Sequence, residues 1–163
     1  MLSSWQLLTV VAAVLLLSPT DGWLFRSSSS SRGGGGSSGR THSFDIGRQS
    51  ELTRLYNQPV RRVTHVERPL TGLSTMVGPI RHSGVVVDTQ DGRRFLVHKG
   101  KNYGRSSETV VTNARHMSDN WRTVGSRPVS GSSVGDFVRA GGRDYSTLTD
   151  NCHSGRCRMM ELP

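Results

Sequence analysis

The spacing of apolar residues divides this chain into stretches with different physical fates. Between Ser83 and Lys99 two short β-rich runs, Gly84-Val85-Val86-Val87 and Phe95-Leu96-Val97, flank polar residues that include Asp91-Gly92. That pattern predicts a hairpin. A three-residue loop, Gln90-Asp91-Gly92, with Gly92 in the left-handed conformation sets Thr89 against Arg93. The register that follows pairs Asp88 with Arg94, Val87 with Phe95, Val86 with Leu96 and Val85 with Val97, one charge pair followed by three apolar pairs. It also sets His98 opposite Gly84 and diagonal to His82, on one face and about 7–8 Å apart. A slip of one residue would send the two histidines to opposite faces.

Thr109-Val110-Val111-Thr112 and Trp121 to Val124 read as further strands. Ser133-Val134-Gly135-Asp136 has the form of a capping box and predicts a helix over Val134 to Ala140 that stops at Gly141-Gly142. Tyr145 to Cys152 leads into a second helix, with Thr149, Asp150 or Asn151 as its N-cap. Elements in this order predict an α+β domain, a small antiparallel sheet with a Cys-bearing helix packed against it. The domain is expected over residues 69–163, a length that folds alone.

Leu7 to Leu17 is a different kind of run, eleven residues without a charge, followed by Ser18-Pro19-Thr20-Asp21-Gly22. It is short for a bilayer span and has the layout of a signal peptide over residues 1–22. No second such run follows, so no stable transmembrane anchor is expected and the mature chain is expected to be secreted and extracellular. Residues 23–42, rich in Ser and Gly and punctuated by Arg, predict a disordered leader. Residues 43–68 carry scattered apolar side chains and read as a poorly defined basic segment, with a short helix at Ser50 to Tyr56.

Charge sharpens this picture. The formal net charge is +9, and among 21 cationic residues only Lys99 and Lys101 are lysines. Guanidiniums stay charged and fork well onto carboxylate, sulfate and phosphate. Two readings stand side by side: charge that keeps the protein in solution, and affinity for anionic glycans, lipid head groups or nucleic acid. The arginines are spread along the chain and form no run of five or more, so neither reading prevails, and of the anionic partners nucleic acid is the one not expected. Two cysteines, Cys152 and Cys157, are too few for a disulfide scaffold, and neither Cys-x-x-Cys nor zinc spacing occurs; no metal or cofactor is expected. Every Asn lacks Ser or Thr two positions on, so N-glycans are not expected.

Cys152 falls in the first turn of the second expected helix, where free backbone N–H groups favour a thiolate. A cysteine nucleophile needs a base within hydrogen-bond reach and a group to orient that base. His82 and His98, on one hairpin face, fit those two roles. The segment Arg81-His82-Ser83-Gly84-Val85-Val86-Val87, then Phe95-Leu96-Val97-His98, then Tyr145 with Asp150-Asn151-Cys152-His153 together resemble the lecithin retinol acyltransferase-like family of the permuted papain-fold (NlpC-like) superfamily. The resemblance covers Arg81 to Met160. It implies a permuted papain-like fold, with His82 as catalytic base, His98 as its polar orienter and Cys152 as nucleophile. It also implies acyl transfer or hydrolysis through a cysteine thioester, on an acyl lipid or an amide. Ser154-Gly155-Arg156 departs from the family's amphipathic helix and predicts a helix of only a turn or two.

Two functions of different classes are therefore expected: a secreted cysteine-dependent acyl hydrolase or acyltransferase, and a non-catalytic basic module of the same fold. A Cys152–Cys157 bridge, which an oxidising compartment favours, would silence the first. His42, His65, His116 and His153 read as surface residues, and Trp121 and Phe137 as core.

Overall fold

The computed structural model describes residues 48–104 and 106–163, so the expected signal peptide, the leader and His42 lie outside the described residues. The chain folds as α1 (Gln49–Tyr56), β1 (Val60–Pro69), β2 (Arg81–Thr89), β3 (Arg94–Lys99), β4 (Thr109–Asn113), a 3-10 turn (Ala114–His116), β5 (Arg122–Pro128), α2 (Val134–Gly141) and α3 (Cys152–Glu161). This is an α+β architecture built on one five-stranded antiparallel sheet, ordered β4-β3-β2-β1-β5. Among the described residues, no helix is long and apolar enough to cross a membrane.

The hairpin has the expected register, with Asp88, Val87, Val86, Val85 and Gly84 opposite Arg94, Phe95, Leu96, Val97 and His98. Gly92 takes φ +85°, and the Thr89 and Gly92 amides close the loop onto Arg93 O and Thr89 O. Both capped helices also follow their signals. Ser133 and Asp136 make the reciprocal capping box of α2, and the Asn151 side chain accepts from the His153 and Ser154 amides at the start of α3.

The folded unit begins before residue 69, which corrects the expected boundary. β1 lies between β2 and β5, with Val60 and Val63 in the core and Leu55 of α1 packed with them. Its apolar residues are spaced in threes because Val63 and Val66 face opposite sides of the sheet. Between and beside them Thr64 and Glu67 are buried although polar, so alternation is not visible in the sequence.

Each side of the sheet has its own core. On one side Val63, Val85, Val87, Phe95 and Val97 pack against Val134, Phe137 and Met159 from α2 and α3. On the other, Val66, Val86 and Leu96 are covered by Ala114, Met117 and Trp121. Alternation along β2 and β3 therefore puts Ser83 on the helix side and His82, Gly84 and His98 on the Trp121 side.

α3 is longer than expected, ten residues from Cys152 to Glu161. Gly155 does not interrupt it because tertiary packing outweighs a propensity difference of about 1 kcal/mol. A Cβ at Gly155 would stand 3.1 Å from Gly141 O and 3.2 Å from Lys99 Cδ, so glycine lets α3 close on the end of α2. Arg127 of β5 donates to Met160 O at 2.6 and 2.9 Å and supplies a cation at the carboxyl end of the helix.

Gly84 is the tightest point of the hairpin: an added Cβ would lie 2.8 Å from His98 Cβ and 3.0 Å from Val97 O. Neither atom is the loose end of a side chain. Gly84→Ala is expected to cost about 1–3 kcal/mol, read as a lower urea midpoint with an unchanged m-value.

Candidate functional site

β2 and β3 carry His82 and His98 on one face, two strand positions out of step, and the rings meet. His82 Nε2 lies 3.0 Å from His98 Nδ1, and the residue opposite His98 is Gly84, which puts no side chain between the rings. Their centroids are 5.3 Å apart at 74°. Tyr103, from the loop after β3, packs 5.8 and 5.0 Å from the two rings, and Trp121, ahead of β5, packs 5.6 and 6.0 Å from them. Arg68, which pairs with His82 in the β1–β2 register, holds its guanidinium 5.3 Å over the Trp121 ring.

The enclosure has an electrostatic consequence. Burial, then the neighbouring His98 and the Arg68 guanidinium, hold His82 well below the usual histidine value. Burial and Arg68 bring His98 down to about 3. Both imidazoles are neutral at neutral pH. One nitrogen of the close pair then donates and the other accepts.

Cys152 is the first residue of α3 and is buried, its Sγ 3.9 Å from Arg81 O at the start of β2. α3 packs on the helix side of the sheet and the histidine pair occupies the Trp121 side, and the sulfur lies beside Arg81, the residue that precedes His82 in β2. Tyr103 belongs to both surroundings. Its phenol is pushed up by burial and further by Cys152, while Arg68 pulls it back. Tyr145 is pushed up to about 12 by burial, with Cys152 and Tyr103 adding to the effect.

Both cysteines are free, Cys152 buried and Cys157 exposed. Five positions apart on a continuous helix, they point to different sides, and the turn at Gly155 that a bridge needs is not formed.

The start of α3 is pinned electrostatically. Lys99, at the end of β3, has a fully buried side chain and places Nζ 2.7 Å from Asp150 Oδ2. Arg158 takes the other carboxylate oxygen at 2.8 Å and also donates to Ala140 O and Gly141 O, each at 2.7 Å. Asp150 thus ties β3, α2 and α3 together two residues before Cys152.

Sequence reasoning found His82, His98 and Cys152 but missed their surroundings. Arg68 is visible only once β1 is known to be a strand, and Tyr103 sits in a turn without a recognisable pattern. Trp121 packs on a core cluster as expected and also walls the histidine site. His153 and His65 are not surface residues: His153 Nδ1 lies 3.0 Å from the buried Ser83 Oγ, and His65 Nε2 lies 3.1 Å from Glu67 Oε1. His116 is exposed. A comparison with protein-family models, with curated proteins and with solved structures finds no match for this chain.

The depressed histidines give a signed pH dependence. An unfolded histidine binds a proton near pH 6.5, whereas His98 in the fold does so only near 3. The unfolded state holds more protons between those values, so stability is complete above about pH 6.5 and is lost as pH falls toward 3. Urea midpoints are expected to drop steadily below about pH 6.5. His98→Gln should flatten the slope in part, leaving the contributions of His82, His65 and His153, which are depressed in the same direction.

Proposed function

We propose that this protein is a secreted cysteine-dependent acyl hydrolase or acyltransferase of permuted papain-like fold, with Cys152 as nucleophile, His82 as general base and His98 as its orienter. The observation that carries this reading is the 3.0 Å contact of two neutral, ring-enclosed imidazoles beside a Tyr103 that also neighbours Cys152.

The chemistry follows from the hydrogen-bonding capacity of imidazole. In the productive tautomer His82 donates Nε2–H to His98 Nδ1, which leaves a lone pair on His82 Nδ1. That nitrogen takes the Cys152 proton, and the imidazolium so formed keeps its bond to His98. The thiolate adds to the acyl carbonyl carbon, and the resulting tetrahedral intermediate collapses with cleavage of the ester or amide bond. His82 returns the proton to the departing alkoxide or amine. A thioester remains on Cys152, and it passes to water in a hydrolase or to an acceptor hydroxyl or amine in a transferase. Acyl lipids and amides are the substrate classes that fit this sequence of steps.

The second reading is a non-catalytic module that binds anionic glycans or lipid head groups. What favours it is enclosure: Cys152 is 6 % and His82 4 % exposed, while Arg61, Arg62, Arg93, Arg94 and Arg122 all face solvent.

Incubation with a short-chain activated acyl ester, followed by intact-mass and peptide analysis, separates the two. The enzyme reading expects an acyl increment on Cys152, absent in Cys152→Ala, with acylation slowed about 10²–10⁴-fold in His82→Gln. Acylation that survives His82→Gln at the same rate would remove the base from the mechanism. Retention on heparin that declines steeply with salt is the outcome expected of the binding module, and early elution at physiological ionic strength would reject it.

A further inference from the structure

A second polar cluster lies on the helix side of the sheet, between β1, β2 and α3. Its one carboxylate, Glu67, is buried and already engaged. Oε1 is 3.1 Å from His65 Nε2, and Oε2 is 2.8 Å from Arg81 Nε. Arg122 stands across from Glu67 in the β1–β5 register and adds a further cation at the margin. From α3, His153 reaches Ser83 Oγ at 3.0 Å, and Arg156, three positions on along the same helix face, is near enough for its charge to act on both His153 and His65.

Arg156 is the residue out of balance. Its Nε is sealed from solvent and has no hydrogen-bond partner, and among the described residues no carboxylate forms an ion pair with it. A buried guanidinium donor left without an acceptor is costly. Its charge acts on both His65 and His153, and after burial it is the strongest influence holding each imidazole below its usual value. The cluster therefore holds one carboxylate against the guanidiniums of Arg81 and Arg156, and two imidazoles whose protonation is disfavoured first by burial and then by Arg156. It lacks one negative charge.

We propose that Arg156, His65 and His153 form a binding site for a single phosphate-type oxyanion on the helix side of the sheet. The guanidinium fork donates to two oxygens of such a group, and the imidazoles become donors as they gain protons beside it. Glu67 does not repel the ligand strongly because Arg81 and His65 occupy both of its oxygens. The site needs no reactivity of Cys152, so it stands or falls separately from the thioester chemistry.

The test is a titration of the full chain with inorganic phosphate at ionic strength held constant with chloride, following the Cε1–Hε1 resonances of the histidines. The expected result is a saturable shift of His65 and His153, with their titration midpoints raised as phosphate binds, while His98, on the opposite face and influenced by burial and Arg68 alone, stays still. Arg156→Met should weaken phosphate binding by about tenfold or more, with an unmoved His98 resonance reporting an intact fold. A response that is linear in phosphate, or that persists unchanged in Arg156→Met, overturns the proposal. Two further arms identify the source of the oxyanion. Co-sedimentation with phosphatidylcholine vesicles containing phosphatidic acid, lost in Arg156→Met, assigns a lipid-borne phosphate. Saturable shifts with glycerol phosphate and no Arg156-dependent sedimentation assign a soluble phosphomonoester.

Discussion

The ion pair between Lys99 and Asp150 holds the cysteine-bearing helix to the sheet. An ammonium with no exposed side-chain surface at the end of β3 meets a carboxylate two residues ahead of Cys152, and Arg158 shares that carboxylate while donating to the last carbonyls of α2. Removing the carboxylate would leave the Lys99 ammonium buried without a counterion, a loss of up to about 3–5 kcal/mol, whereas Asp150, a third exposed, would keep Arg158 if the lysine were removed. The Asn151 cap then fixes the direction in which α3 leaves this anchor. The position of the Cys152 sulfur beside Arg81 O is thus set by charges that do not touch the sulfur.

The sheet separates two polar sites that flank the same helix start. On the Trp121 side the histidine pair is enclosed by aromatic rings and overlooked by Arg68, and burial is the largest influence on its protonation. On the helix side Glu67, His65, Arg81, His153 and Arg156 form a cluster whose charges do not cancel. Adjacent residues produce this division: His82 and Ser83 point to opposite faces because strand side chains alternate, and each recruits a different imidazole, His98 in one case and His153 in the other. Cys152 lies beside Arg81, the first residue of β2.

Glycines define how closely these parts approach. Gly84 lets β2 and β3 come together where the histidines lean toward each other, and Gly155 lets α3 settle against Gly141 and Lys99. In each case the local expectation is of a weak point, in a strand or in a helix. Contact with a neighbouring backbone or stem decides otherwise, since no side chain fits in the space.

The hairpin register, the capping box at Ser133, a helix start within Thr149 to Asn151 and the shared face of His82 and His98 were legible in the sequence because each depends on residues close together in the chain. Turn chemistry, capping hydrogen bonds and side-chain alternation act over a few positions, and the residues that satisfy them are adjacent. β1 was not legible as a strand, because Thr64 and Glu67 are buried by partners far away in sequence and erase the alternation that would have marked it. Arg68, Tyr103, His153 and Arg156 take their places only when β1 enters the sheet and α3 closes on it. Their surroundings are set by burial and by charges brought together from distant segments, and these are properties of the packed chain that local sequence does not carry.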